Sequence, residues 1–545
     1  MKKIYAIVMM AAALAACNQE ELPQIVEEPE APTYTMIIEA TKGEDDNTKA
    51  LSLSGKALNA TWAEGEAVTV YNVTRSADLS GTLTAQSSGT STVLKGTLTG
   101  TIQNGDQLKL MFCSPSYASQ TGTLEYIAAN CDYAEATVTV TDASTPSVTT
   151  TAASFVNQQA IVKFTLLKKA DDSNLVIPAE TALTVNDGTN NYTITPTSAT
   201  NVLFVAIPAT STVSLSKVLD GFDYYYIKNG ASLIAGNYYE ITVKMSPRLA
   251  VKRAGDENYT VLTGHTTVND GDLLAGVLFD DYKVSIANGA TVTLRDVTIN
   301  RGNGSNYWAG LSCIGDATIV LADGTTNTIK GFYEDYPGIY IPVGNTLTIQ
   351  GTGTLNACSN GYAAGIGGGW SLDCGNILIK SGIINATGAR NAAGIGAGFA
   401  RSCGNIEIQG GTITASGEGA GIGTGNGVDG EDEMGSPEDE FWMPGAPDSP
   451  SSCGTITISG GTIDATGGYG AAGIGTGEIG NCGNITITDG VTRVTATKGG
   501  GWAQHSIGRG GDGYHFQYHG KVNFTVTIGG SNVGYISTSP YTYEP

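Results

Sequence analysis

One unit recurs four times in the second half of the chain, and no other feature restricts the fold as much. CGNILIKSGIINATG begins at Cys374, CGNIEIQGGTITASG at Cys403, CGTITISGGTIDATG at Cys453 and CGNITITDG at Cys482. Each copy follows a Gly-Ile-Gly element, at residues 365–367, 394–396, 421–423 and 473–475. The copies at 374 and 403 are as far apart as those at 453 and 482. The interval from 403 to 453 is longer, so it holds an insertion and not a different unit. A unit this short cannot bury its own apolar face, so neighbouring copies must stack.

Within a copy, Ile406 and Ile408 alternate with Asn405, Glu407 and Gln409. A Gly410-Gly411 corner then leads to Ile413 and Ala415, which alternate with Thr412 and Thr414. Two short strands and a bend follow from that period of two. The isoleucine of Gly-Ile-Gly supplies a third inward residue, and its glycines permit backbone angles that other residues resist. The result is one coil of a parallel β-helix, in which Ile377, Ile406, Ile456 and Ile485 stack at the strand spacing of about 4.8 Å. Cys374, Cys403, Cys453 and Cys482 occupy one position of the coil and are expected to form an inward ladder of free thiols. Side chains on in-register parallel strands point the same way, which disfavours the disulfide dihedral. Zinc is disfavoured too, because no Cys-x-x-Cys occurs and the four histidines lie elsewhere. Less regular units precede the repeats from about residue 261, and residues 499–545 read as a cap. This half, residues 249–545, resembles the right-handed parallel β-helix proteins often described as carbohydrate-binding or adhesion-associated. That resemblance implies a ligand-presenting rod and assigns no site residues.

The first half has another pattern. From about Thr33 to Met245, short alternating runs such as 67–71, 107–112 and 160–166 are separated by Gly, Asn and Asp, the signature of β-sandwiches. A Thr- and Ser-rich break near 142–153 divides it into lobes at 33–145 and 146–248. Three stretches, Thr48 to Glu66 (TKAL…NATWAEGE), Phe155 to Leu166, and Gly236 to Met245 (GNYYEITVKM), resemble fimbrillin-family proteins, the subunits and accessory proteins of lipoprotein-derived pili. The resemblance implies two sandwich lobes and, in such pilins, removal of the first strand by an arginine-specific protease followed by strand exchange between subunits. Lys49 stands where the cleaved arginine is expected, so the resemblance points to an anchor, a tip or a stand-alone surface protein before a shaft subunit. The predicted fold class is all-β, with fimbrillin-like sandwich lobes followed by a right-handed parallel β-helix.

The N-terminus sets the compartment. Lys2 and Lys3, an apolar run and small residues before Cys17 read as a secretory signal over 1–16. The run is shorter than the roughly 20 residues that span a bilayer. Leu14-Ala15-Ala16-Cys17 resembles the lipobox of bacterial lipoproteins, which implies acylation of Cys17 and attachment to the outer membrane at the cell surface. Residues 17–32 are acidic and proline-bearing, a tether. With 28 basic and 51 acidic residues and a net charge of -23, a nucleic-acid partner is disfavoured.

Candidate binding residues come from two places. Trp370 and Phe399 stand just after their Gly-Ile-Gly corners, with Asn426 and Glu478 at the same place in the other copies, and aromatics on one edge suit sugar stacking or shield the edge. The inserted loop, 428–452, holds Asp429, Glu431, Asp432, Glu433, Glu438, Asp439 and Glu440 with Phe441 and Trp442. It is a candidate for calcium, for a glycan or protein contact, or simply a solvated loop. Outward strand positions carry Thr, Asn, Gln and Ser with isolated acids, so no carboxylate pair for polysaccharide cleavage is evident. The expectation is a non-enzymatic surface lipoprotein, an adhesin or fimbrial accessory or tip protein, with pilus subunits or host and matrix proteins as partners. A carbohydrate-binding surface protein is the alternative, and a polysaccharide lyase or hydrolase the distant one. No cofactor beyond calcium is implied.

Overall fold

A computed structural model of the chain describes residues 31–42, 52–54, 57–59, 61–112, 117–144, 146–302, 305–370, 372–428, 449–512 and 522–545. The fold is all-β, with one short helix, Leu124–Asn130, among the described residues. The chain forms two compact units: one of residues up to Lys163 with Leu203–Ser211 and Ser232–Ile241, the other of Phe164–Val202, Thr212–Ala231 and Thr242–Pro545.

In the first unit, the strand Thr33–Lys42 lies between neighbours on both sides. It pairs antiparallel with Ser91–Thr99 and parallel with Ser147–Thr150 and Ala153–Asn157. Its alternate residues Tyr34, Met36, Ile38 and Ala40 are buried, joining a core around Trp62, Leu83, Leu94, Leu98 and Leu110. Phe112 and Phe155 meet the Trp62 ring edge-on, with centroids 5.5 and 5.0 Å away. Because Ser147–Thr150 and Ala153–Asn157 belong to this sheet, its chain runs past the boundary expected at 145. The Thr- and Ser-rich stretch looks like a linker because it has few apolar residues. Yet Val148 and Ala153 are buried and are enough to seal a strand whose cohesion is backbone hydrogen bonding.

The second unit begins with a lobe in which Leu183–Asn186 pairs antiparallel with Asn191–Ile194 and with Thr210–Leu219 over a core of Phe164, Leu166, Ile177, Val185 and Leu215. From Thr266 onward the chain is a parallel β-helix. Nine short parallel strands, from Thr266–Val268 to Ile507–Gly508, make one face among the described residues, and a longer sheet wraps the others. Three interior columns run in register: Ile377, Ile406, Ile456 and Ile485; Ile384, Ile413 and Ile463; and Ile366, Ile395, Ile422, Ile474 and Ile507. All are at most 1% exposed. Each coil therefore contributes a full layer of isoleucine, with roughly 1.5–3 kcal/mol per fully buried side chain. Val428 and Ser449 exchange backbone hydrogen bonds of 3.0 and 2.9 Å across the neck of the insertion, so Cys403 still pairs with Cys453. Antiparallel strands close both ends: Ala250–Lys252 against Leu273–Val277, and Tyr541–Tyr543 against Val491–Thr497. Such ends cover parallel edges that would otherwise recruit another chain.

Candidate functional site

The nine-stranded face changes character along the axis. In the later coils its second position is Gly367, Gly396, Gly423, Gly475 and Gly508, with φ between 130° and 135°. A Cβ at Gly396 would overlap the Gly423 carbonyl oxygen of the next coil, so only glycine fits there. In the earlier coils the same row carries side chains, because Ser285 pairs with Ser312 and Ser312 with Tyr340. A groove of about 340 Å³ lies over this part of the face, lined by Lys283, Ser285, Ser312, Tyr336, Tyr340 and Leu372 together with Tyr307 and Trp308.

Trp308 is wedged between His265 and Phe332, with ring centroids 5.4 and 5.5 Å away. Its indole Nε1 is buried without a hydrogen-bond partner among the described residues, an unspent donor beside the groove. The His265 Nδ1 accepts the Lys283 backbone N–H at 2.9 Å. Burial raises the Tyr340 phenol, helped by Cys374 and Asp373, and raises Tyr336, helped by Asp335 and Tyr307. Both therefore stay donors at neutral pH. The Tyr340 hydroxyl donates to the Asp373 carbonyl at 3.3 Å. Among the described residues the groove is lined by no carboxylate.

The residues singled out from the sequence fall elsewhere. Trp370 is half-buried, its backbone N–H donating to the Asp335 carbonyl at 3.1 Å and its ring 5.9 Å from Tyr362. Phe399 is 7% exposed and lies 5.7 Å behind the same Tyr362, so it is not an open platform for a sugar. At the matching place Asn426 is buried, donating to Asn391 Oδ1 and accepting the Glu478 N–H, both at 2.9 Å. Glu478 accepts the Trp502 indole N–H at 2.5 Å. The expected aromatic line after Gly-Ile-Gly is therefore a bonded corner, covered by residues of neighbouring corners, Tyr362, Asn391 and Trp502. Cys17 and the loop candidates Asp429, Glu431, Asp432, Glu433, Glu438, Asp439, Glu440, Phe441 and Trp442 lie outside the described residues. Among those described, no group of three or more His, Cys, Asp or Glu is placed to hold a metal ion. No described helix is long and apolar enough to cross a membrane.

Cys374, Cys403, Cys453 and Cys482 are free and buried. Cys403 pairs with Cys453 and Cys453 with Cys482. Burial and the Cys403 thiol push the Cys374 thiol well above its ordinary range, and the Cys482 thiol and burial do the same to Cys453. All four pack in the interior, and Cys374 and Cys453 have little thiolate character. The groove residues were missed because they lie in the coils without a clean repeat. The signal present in the sequence was the crowding of aromatics between 307 and 340.

A beta helix repeat family model matches residues 347–370, 377–399, 406–426 and 456–478, all within these coils. No curated protein matches the chain by sequence. Among solved structures, a fimbrial assembly protein from Parabacteroides distasonis is similar at 13% identity, covering 40% of this chain and 95% of its own, with a TM-score of 0.21. A fimbrial protein from Bacteroides ovatus is 10% identical over 42% of this chain and 53% of its own, with a TM-score of 0.17. A shaft pilin from Lactobacillus rhamnosus is 11% identical over 39% and 98%, also with a TM-score of 0.17.

Proposed function

We propose that this chain is a non-catalytic cell-surface lipoprotein, held to the outer membrane through Cys17, whose β-helix captures glycans and so serves as an adhesin or fimbrial accessory protein. The observation that carries the reading is the groove over Ser285, Ser312 and Tyr340. It combines aromatic faces and hydroxyls, the mixture that stacks on sugar rings and bonds their hydroxyls. Polysaccharide hydrolysis calls for two carboxylates flanking the scissile bond, and among the described residues the groove lining supplies neither. In the later part of the same face the corresponding row is glycine, Gly367, Gly396, Gly423, Gly475 and Gly508.

The test is retention of the whole secreted chain, with Cys17→Ala to keep it soluble, on a glycan array beside a Tyr307→Ala variant. Tyr307 is 61% exposed, so its loss leaves the core intact. Retention that Tyr307→Ala weakens about tenfold supports the reading, since one aromatic contact contributes up to about 1.5 kcal/mol. Adhesion to matrix protein without any glycan signal, or release of reducing ends from a polysaccharide, overturns it.

A further inference from the structure

The groove sits beside a longer feature. In every coil the chain turns a corner between the second strand and the nine-stranded face. These corners are stacked by backbone hydrogen bonds: Phe332 to the Trp308 carbonyl at 3.2 Å, Gly331 to Cys358 at 3.2 Å, Gly388 to Ser416 at 2.9 Å, Gly468 to Gly419 at 3.1 Å and Gly470 to Gly500 at 3.1 Å. The corners carry aromatic rings at both ends of the row. Tyr307 lies 4.6 Å from Tyr333, and Tyr362 follows one coil later. Further along, Tyr469 is 57% exposed and meets Trp502 edge-on at 5.2 Å. The Tyr469 ring rests directly over Gly501, whose φ is 68°, and any Cβ at that position would strike it.

The charges on this edge are mixed. Arg390 lies over the Tyr362 ring, 5.6 Å from its centroid, with Glu334 and Glu418 as its acidic neighbours. The Lys498 ammonium donates to the Gln504 carbonyl at 3.1 Å. Arg401, which donates to the Trp370 carbonyl at 2.5 Å, and Lys283 in the groove are two further cations, and against these four stand Glu334, Asp335, Glu418 and Glu478. A polyanion approaching the chain would meet long-range repulsion from its net charge of -23.

Resting on the glycan reading above, we propose that the stacked corners form a track for an extended, uncharged polysaccharide that runs along the β-helix axis from the groove at Tyr307 to Tyr469 and Trp502. The span is six coil steps, roughly 29 Å at the strand spacing. A disaccharide fills only the groove, whereas a long chain also stacks on the far rings. Affinity therefore rises with chain length, and neutral polymers are preferred to uronate-bearing ones of equal length.

The experiment uses the whole secreted chain and calorimetry against length series of neutral oligosaccharides (β-glucan, mannan and galactan) and of oligouronates. The expected result is at least a tenfold gain from disaccharide to long chain for one neutral series. Tyr469→Ala should remove about two- to tenfold of that gain, the size of one stacking contact, and leave disaccharide binding unchanged. Length-independent binding that Tyr469→Ala does not alter overturns the track while leaving the groove in place. Oligouronates that bind as tightly as neutral chains overturn the charge preference. Failure of every glycan at every length sinks the groove reading beneath both.

Discussion

The coils between residues 266 and 358 and those between 366 and 508 share one interior and differ in what they show to solvent. The later set repeats so strictly that isoleucines, thiols and glycines form unbroken columns, and its outward row on one face is bare backbone. The earlier set keeps the interior columns but places Ser285, Ser312 and Tyr340 on that row, and the groove opens there. Regularity serves stacking, because the glycine carbonyl of each coil accepts an N–H from the coil before it, Gly396 from Gly368 and Gly423 from Ala397. Ligand chemistry needs side chains, and these stand where the repeat is broken.

The sharpest way to break this comparison is a methyl group. Gly396→Ala meets both a forbidden φ and the Gly423 carbonyl, so it should cost more than about 3 kcal/mol or split the unfolding transition. In the earlier coils, Gly289 also has a positive φ but open space around it. Gly289→Ala should therefore cost only about 1 kcal/mol. Equal losses in urea melts would show that the later coils are no more constrained than the earlier ones.

A smaller effect comes from the thiols. The folded-state pKa values of Cys374 and Cys453 are raised, so the protonated form is favoured by folding. Their contribution is fully present below the unfolded thiol value of about 8.5 and is lost as pH rises above it, by at most about 1.4 kcal/mol per pH unit for each thiol. Chemical melts between pH 8 and 10 should therefore show a falling midpoint, and the Cys374→Ala/Cys453→Ala double variant a shallower fall. Cys313, pushed up to about 12 by burial, offers the matching probe in the earlier coils. An unchanged slope in the double variant would mean these thiols reach water in the native state.

The smallest effect is expected at Arg301 and Asp281, an ion pair of 3.3 Å with both side chains about 40% exposed. Asp281→Asn should shift stability by less than about 1 kcal/mol and disappear in high salt. A larger loss would indicate that this outer layer of the earlier coils helps hold the groove.

Much of this architecture was legible before any coordinates. The Cys-Gly and Gly-Ile-Gly copies identified the coil, its inward isoleucines and its inserted loop. A period-two pattern that recurs at a fixed short interval has few ways to bury itself. The site was not legible in the same way. Trp370 and Phe399 look equivalent in sequence, yet one is half-buried and the other buried behind Tyr362, since exposure at a corner depends on the path of the neighbouring corner.

What the amino-acid order determined alone is therefore the cross-section of the solenoid: which residues face in, where glycine is obligatory and how far apart successive copies lie. Only the tertiary structure decided which outward residues meet. Ser285, Ser312 and Tyr340 come from three successive coils, distant in sequence, and become neighbours through hydrogen bonds between those coils. Local pattern encodes the inside of each coil, because burial is a property of one strand and its period. The outside is set by register between coils, and that register is settled only when all of them stack.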